Sequence, residues 1–305
     1  MHVSVVVCTY TMDRYDAFTE AVESILEQTY EPIEIVLVID GNPRVFERAV
    51  TDFGEHEHVI VHDNDENRGI SYSRTKGAEL ASGDIVAFID DDAVAEEDWI
   101  DTLVRTYEEH DALAAGGRMV GEWLVGRPWF LPEEFDWVVG VTYPGFAEPD
   151  TEVRNTFESN ISFRRDVFLD IGGFDESLGR DANSYSNSEG AEVGDRLRAE
   201  YGRGVVYNPE AVVAHKVFER RTKLPWLLSR AFEQGVSKRR MAGESDGVGS
   251  EETGYLKFLF TERVPERIRE TARSPSVAAV GQLLMIGVFT AAVGVGYLYE
   301  AVVPE

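Results

Sequence analysis

The chain has 305 residues and carries 29 Lys and Arg against 56 Asp and Glu, a formal net charge of −27 at pH 7. With 43% hydrophobic and 11% aromatic residues it can bury a core, which excludes a disordered acidic tail. The charge also excludes a general nucleic-acid binder, because phosphate-backbone binding rests on positive surface. Lysine occurs only as Lys76, Lys216, Lys223, Lys238 and Lys257, and every other basic residue is arginine. Such acid-rich, lysine-poor surfaces suit a salt-saturated cytoplasm, where ions screen self-repulsion, so a halophilic source is expected. Cys8 is the only cysteine, which leaves neither an intrachain disulfide nor a cysteine-based zinc site.

The N-terminal run MHVSVVVCTY enters a strand pattern at once, without the charged leader and cleavage site of a signal peptide. His2–Cys8 is β-branched and predicts a strand. Phe18, Val22, Ile25 and Leu26 then recur at helical spacing, with Glu20, Glu23 and Glu27 facing out. Ile33–Ile39 is a second strand, closed by the turn Asp40-Gly41-Asn42-Pro43. Val59–His62 reads as a short third strand, Ile70–Ala81 as a helix ended by Ser82-Gly83, and Ile85–Ile89 as a fourth strand. This βαβαβ order predicts an α/β fold with a parallel sheet and right-handed crossovers. In such sheets ligands bind beyond the carboxyl ends of the strands, and Asp40 and Asp90-Asp91-Asp92 fall there.

Three consecutive carboxylates repel one another unless a cation neutralises them. Oxygen ligands favour Mg²⁺ or Mn²⁺, which bind through one or two carboxylates together with a substrate diphosphate. A solvated acidic turn is the plain alternative in so acidic a chain. Asn67-Arg68-Gly69 opens a helix carrying Arg74 and Lys76, an arrangement that suits phosphate.

The far end has a different character. Val277–Tyr299 holds no charged residue. As a helix it measures about 34 Å, enough for a hydrocarbon layer of about 30 Å. Arg263, Arg267, Arg269 and Arg273 precede it and only Glu300 and Glu305 follow, so the positive-inside rule puts the body of the chain in the cytoplasm. A membrane anchor is expected, spanning or re-entrant, with a buried core helix as the alternative.

The order of SVVVCTY, VIDGNP, NRGISYSRTKGAELASGDIVAFIDDDA, ESNISFRR, IGGFDESLG, the Glu189-to-Leu197 stretch and VAHK resembles family 2 inverting glycosyltransferases of GT-A fold, a Rossmann-like, mostly parallel sheet. The likeness runs from about Val3 to His215. With its acidic composition and apolar C-terminal run, the chain is most similar to haloarchaeal membrane-anchored transferases of the surface-layer glycoprotein N-glycosylation pathway. Those enzymes elongate a dolichol phosphate-linked glycan on the cytoplasmic face. The resemblance implies a nucleotide-sugar half at 1–111, an acceptor-binding half at 112–225, an interfacial region at 226–275 and a transmembrane anchor at 276–300.

It also implies roles. Asp40 would contact the base or ribose, with Thr9 and Tyr10 lining the same pocket and Arg68 and Lys76 on the nucleotide face. Asp90 and Asp92 match the outer positions of the D-x-D motif, with Asp92 as the direct ligand of Mg²⁺ or Mn²⁺, and Asp91 occupies the middle. His215 matches a histidine that helps hold the metal in some members; a local hydrogen bond is its plain alternative. The catalytic base departs from the pattern: where the family places Glu-Asp, this chain reads Glu189-Gly190. Glu189, Glu192 one turn on, and Asp181 in the preceding loop are the candidates. Arg68, Arg74, Arg164 and Arg165 would tolerate an acidic sugar, so a UDP-linked hexuronic acid is one donor that fits. The expected partners are a nucleotide-sugar, a lipid-linked glycan, the membrane and neighbouring transferases, with no nucleic acid.

Acceptor recognition is expected after about Ala112. Trp123, Trp129, Phe130, Phe135 and Trp137 would form an acceptor-side lid, a core or a membrane-interface patch. Trp226–Met241 and Tyr255–Phe260 read as interfacial segments and Gly243–Thr253 as a mobile loop. Two rivals remain at this level. Asp90-x-Asp92-x-Val94 fits the nucleophile motif of haloacid dehalogenase-type phosphatases, and the missing aspartate at Gly190 would suit a non-catalytic nucleotide-sugar-binding relative or membrane scaffold.

Overall fold

The computed structural model describes residues 1–176, 189–244 and 249–303. The alternation read from the first third is realised as β1 (Val3–Thr9), α1 (Tyr15–Leu26), β2 (Ile33–Ile39), α2 (Pro43–Phe53), β3 (Val59–Asp63), α3 (Ile70–Leu80) and β4 (Ile85–Asp90). Helix α2 starts at a proline, whose fixed φ and missing N–H suit a first helical position. Asn42 caps it, its side chain accepting from the Arg44 and Val45 amides. Next come β5 (Ala93–Ala95), α4 (Trp99–His110), β6 (Ala114–Trp123), β7 (Thr151–Val153), β8 (Ile161–Arg164), α5 (Arg165–Asp170), α6 (Glu189–Tyr201) and β9 (Val205–Val217). The C-terminal part is helical: α7 (Leu224–Glu244), α8 (Gly249–Phe258), α9 (Val264–Arg273) and α10 (Val277–Val302).

The strands form one sheet in the order β3-β2-β1-β4-β8-β6-β9-β5, with β7 added on β9. It is a mixed sheet. The parallel order expected from the βαβ pattern holds for β3, β2, β1 and β4. Beyond β4 the pairings of β8 with β4 and β6, and of β9 with β5 and β7, are antiparallel.

Two compact units divide the chain: Met1–Val120 with Ala147–Lys216, and Gly121–Phe146 with Val217–Glu305. This differs from the linear division expected, because residues 121–146 pack with the C-terminal helices. In the first unit both sheet faces are covered, so its central strands are apolar on both sides. Val5, Leu37 and Ile39 pack with Phe18, Trp99 and Tyr107 on one face. Val6, Val36 and Val38 pack with Phe88, Phe163, Phe168 and Phe174 on the other. Each such fully buried side chain contributes about 1.5–3 kcal/mol of transfer free energy.

The second unit has its own core of Leu131, Phe135, Val138, Leu227, Ala231, Leu259, Ile286 and Phe289. Phe135 stacks on Phe289 with ring centroids 5.2 Å apart, and Trp137 meets Tyr255 edge-on. Of the aromatic run expected as a lid, Phe135 is core, Trp123, Phe130 and Trp137 pack partly buried against that core, and Trp129 stays 56% exposed. Helices α7 and α10 touch backbone to backbone. A Cβ on Gly235 would stand 2.0 Å from the Val293 carbonyl oxygen, and one on Gly296 2.0 Å from that of Phe232. Buried Glu134 accepts from Arg263 at 3.1 Å and Arg267 at 3.0 Å. Much of the loop expected at 243–253 is helix, the end of α7 and the start of α8, and residues 245–248 lie outside the described residues.

Helix α10 is long and apolar enough to cross a membrane by length and composition. One of its faces is packed within the unit; the other presents Val277, Leu284, Val295, Leu298 and Val302 to the outside.

Candidate active site

The carboxyl ends of β1, β2 and β4 lie side by side, as their parallel register requires: Thr9 is opposite Ile39, and Cys8 is opposite Asp90. Chain-adjacent residues beyond those ends therefore meet although far apart in sequence. Asp40, just past β2, is 6% exposed. It accepts from the Asn64 amide and from the Arg68 and Gly69 backbone N–H groups, all at 2.9 Å. Its carboxylate thus shapes the turn that starts α3. Two glycines permit this: Gly69 has φ +90°, and Gly41 has φ +67° with a would-be Cβ 2.2 Å from the Asn67 nitrogen.

The acidic triplet is drawn into three separate partnerships. Asp91 is buried, receives the Thr9 hydroxyl at 2.7 Å and pairs with Arg14 at 3.1 Å. Burial pushes its carboxyl up to about 6; Arg14 pulls it down, while Asp92 and Asp90 add to the rise. Asp92 lies 3.8 Å from the other Arg14 nitrogen and 3.3 Å from His215 Nε2. Asp90 is more open and pairs with Arg74 at 2.6 Å. Its backbone N–H donates to the Ser159 hydroxyl at 3.0 Å.

His215 reaches Asp92 because short β5, directly after the triplet, pairs antiparallel with β9 and sets Ala93 opposite His215. The Lys216 amide donates to the Asp92 carbonyl at 2.8 Å and locks that register. A carboxylate oxygen and an imidazole nitrogen, adjacent and nearly buried, make a donor set that fits Mg²⁺ or Mn²⁺. Among the described residues no group of three or more His, Cys, Asp or Glu is placed to hold a metal ion, so an ion here would take the rest of its shell from water and substrate phosphate.

Arg74 is the hub on the other side. Only 5% exposed, it bridges Asp90 and Glu189, the latter at 3.3 Å. Burial opposes its charge, but Asp90, Glu189 and Glu158 outweigh that and hold the guanidinium above its usual range. Glu189 opens α6 as a buried residue, and the next residue, Gly190, donates its N–H to Glu158 at 3.0 Å.

Of the residues expected at the site, Thr9, Asp40, Asp90, Asp91, Asp92, Glu189 and His215 come together here, and Tyr10 lies exposed beside them with Arg14 5.7 Å over its ring. Arg68 contributes through its backbone, while its guanidinium lies on the Tyr72 ring and pairs with Glu176. Lys76 is turned to Glu79 on its own helix at 3.0 Å. Glu192 is chelated by Arg196, whose guanidinium also holds the Ile171 and Gly173 carbonyls. Asp181 lies outside the described residues. Sequence reasoning overlooked Arg14, Asn64, Glu158 and Ser159. Arg14 carried a usable signal, a basic residue in the loop after β1, which must face the strand ends. Cys8 is buried and desolvation raises its thiol far above the reactive range, which removes it as a nucleophile.

The glycosyl transferase family 2 profile matches residues 4–172. The chain is similar to the glucosyl-dolichyl phosphate glucuronosyltransferase of Haloferax volcanii, with 53% identity over 306 residues, 100% of this chain and 98% of that protein. Among solved structures, a mannosyltransferase from Pyrobaculum calidifontis in complex with GDP-Man and Mn²⁺ matches with a TM-score of 0.62 at 16% identity, covering 98% of this chain and 87% of that one. Residues 1–349 of Staphylococcus aureus TarS, in complex with UDP-GlcNAc, match with a TM-score of 0.56 at 16% identity, over 96% and 82% of the two chains.

Proposed function

Because the chain belongs to glycosyltransferase family 2, with a GT-A-like mixed sheet, we propose that it transfers a hexuronic acid, glucuronic acid first, from a UDP-linked donor to a sugar carried on dolichyl phosphate. The observation that carries this reading is the full-length likeness to the Haloferax enzyme, and the strand-end cluster has the chemistry it needs. The place of Asp90–Asp92 after a fourth strand rather than a first, together with the family, speaks against the phosphatase.

Asp40, Thr9 and Tyr10 line the strand ends where the nucleotide would lie. Asp40 reaches it chiefly through the Arg68–Gly69 turn that it holds. Arg14 and Arg74 set positive charge on either side of the triplet, and Arg68 just before α3 and Lys76 within it would add to the field. Asp92 with His215 would hold Mg²⁺ or Mn²⁺, with Asp90 beside them, and the ion would neutralise the diphosphate as it leaves. A carboxylate beside the start of α6, the place to which the family pattern points, takes the acceptor proton as the hydroxyl attacks the anomeric carbon. Attack from the face opposite the diphosphate inverts configuration in one step. The exposed face of α10 would associate the enzyme with the membrane, with its first unit on the cytoplasmic side, where it would serve surface-layer N-glycosylation alone or beside other transferases.

The test is transfer in high-salt membranes. Labelled UDP-glucuronic acid, UDP-glucose or GDP-mannose is offered with glucosyl-dolichyl phosphate, with and without Mg²⁺ or Mn²⁺. Metal-dependent glucuronic acid label in the lipid fraction, lost in Asp92→Ala, is the expected result. Label from another donor overturns the sugar; saturable UDP binding without transfer favours the non-catalytic relative.

A further inference from the structure

If the chain is an inverting transferase, as proposed above, its reaction needs a base that the sequence at Gly190 does not supply. The geometry points to Glu158 as that base. A Cβ added to Gly190 would fall 2.2 Å from Glu158 Oε1, 2.8 Å from its Cδ and 3.0 Å from its Cγ. The Glu158 carboxylate therefore fills the space a side chain at position 190 would enter. Glycine and glutamate form a matched pair, in which one removes a side chain and the other delivers a carboxylate to the same place.

Three further observations support the assignment. Glu158 begins the turn Glu158–Asn160, whose Ser159 receives the Asp90 amide, so the turn is tied directly to the acidic triplet. Helix α6 steadies the carboxylate: the Gly190 N–H donates to Oε1 at 3.0 Å, at a helix end where backbone amides favour an anion. The other oxygen, Oε2, makes no hydrogen bond among the described residues, and the residue is only half-buried, so a hydroxyl can reach it.

Among the described residues the rival carboxylates are engaged. Glu189 is 5% exposed and paired with buried Arg74; Asp90 holds the same guanidinium at 2.6 Å; Glu192 is chelated by Arg196. Protonating Glu189 or Asp90 would cancel half of an ion pair, which the buried Arg74 charge opposes, whereas Glu158 feels that charge through space without pairing to it. In the step itself, Glu158 takes the proton of the acceptor hydroxyl as the oxygen lone pair forms the bond to the anomeric carbon. The bond from that carbon to the diphosphate oxygen breaks, the electron pair leaves with the nucleoside diphosphate, and the proton passes from Glu158 to solvent.

Glu158→Gln separates this role from a structural one, because glutamine keeps an oxygen to accept from Gly190 and loses only the proton acceptor. With glucuronic acid transfer as readout, kcat is expected to fall by about 10²–10⁴-fold. UDP affinity by calorimetry and the melting temperature should stay at wild-type values. In a second arm, Glu158→Ala is combined with Gly190→Asp, which restores a carboxylate from the α6 side. The double variant is expected to regain at least tenfold over Glu158→Ala alone. An active Glu158→Gln beside an inactive Glu189→Gln overturns the assignment and leaves the transferase standing, as does a Glu158→Gln loss matched by lost UDP binding. A wild-type chain that binds UDP but transfers no sugar overturns the transferase and the base together.

Discussion

Asp40 and Arg74 show how single residues of this site combine structure with chemistry. Asp40 satisfies three donors at once, so Asp40→Ala takes the acceptor from two backbone N–H groups and leaves the Asn64 amide only the Ser73 hydroxyl. A loss of about 2–3 kcal/mol is expected, together with a raised donor KM as the turn before α3 loosens. Urea unfolding and donor titration check the two effects separately. Arg74 is a stricter case. Arg74→Met removes the cation that Asp90 and buried Glu189 share, at a cost of about 3–5 kcal/mol. Arg74→Lys should recover only part of that, because one ammonium cannot span both partners as the planar guanidinium does. Both are measured as shifts in the urea midpoint.

At the scale of elements, the short strand β5 and helix α10 matter most. Without the pairing of β5 to β9, His215 would sit far from Asp92, so three residues of edge strand assemble half of the candidate metal site. Helix α10 is two-sided: Ile286 and Phe289 are buried, whereas Leu284 and Leu298 are 67% and 64% exposed. Replacing Leu284 and Leu298 together by Asp should leave the melting temperature unchanged and move the protein from the membrane pellet to the supernatant. Flotation with phospholipid vesicles checks this. Retention on the vesicles would place membrane attachment elsewhere. The Glu134 pairs with α9 set a pH response. Burial opposes the Glu134 charge, but Arg267 and Arg263 outweigh it and hold the carboxyl below its usual value. The folded state thus binds its proton less readily than the unfolded one. The stabilisation is full above the ordinary glutamate value of about 4.3 and is lost as pH falls below it. Glu134→Gln should flatten that acid limb in thermal melts taken across pH 3–6.

For the whole molecule, charge is distributed unevenly. The first unit has 16 Lys and Arg against 41 Asp and Glu, the second 13 against 15, which together make up the 29 and 56 of the chain. Nearly all of the −27 therefore belongs to the unit with the candidate active site, while the unit bearing α10 is almost neutral. A near-neutral unit meets an anionic lipid surface with little repulsion. Self-repulsion in the first unit should make stability depend on salt: the melting temperature is expected to fall steeply as KCl is lowered from molar to about 0.1 M, where the screening length grows to about 10 Å. A melting temperature independent of salt would refute the inference from composition.

Composition, period and motif order determined the strongly acidic charge, the four strands with two of their helices, and the strand ends where Asp40 and Asp90–Asp92 lie. These are local properties, written in hydrophobic periodicity and turn chemistry. Helix α2 escaped notice although Asn42-Pro43 announced its start, because the same residues read equally well as a turn. The aromatic run at 123–137 was ambiguous for a different reason: rings that stack on sugars also fill cores, and only Phe289, more than 150 residues on, decides between them. Tertiary structure alone brought His215 to Asp92, Arg74 to Glu189 and Glu158 to Gly190. Each pairing depends on strand order and register, or on the space left by an absent side chain, and neither is a property of any one stretch of sequence.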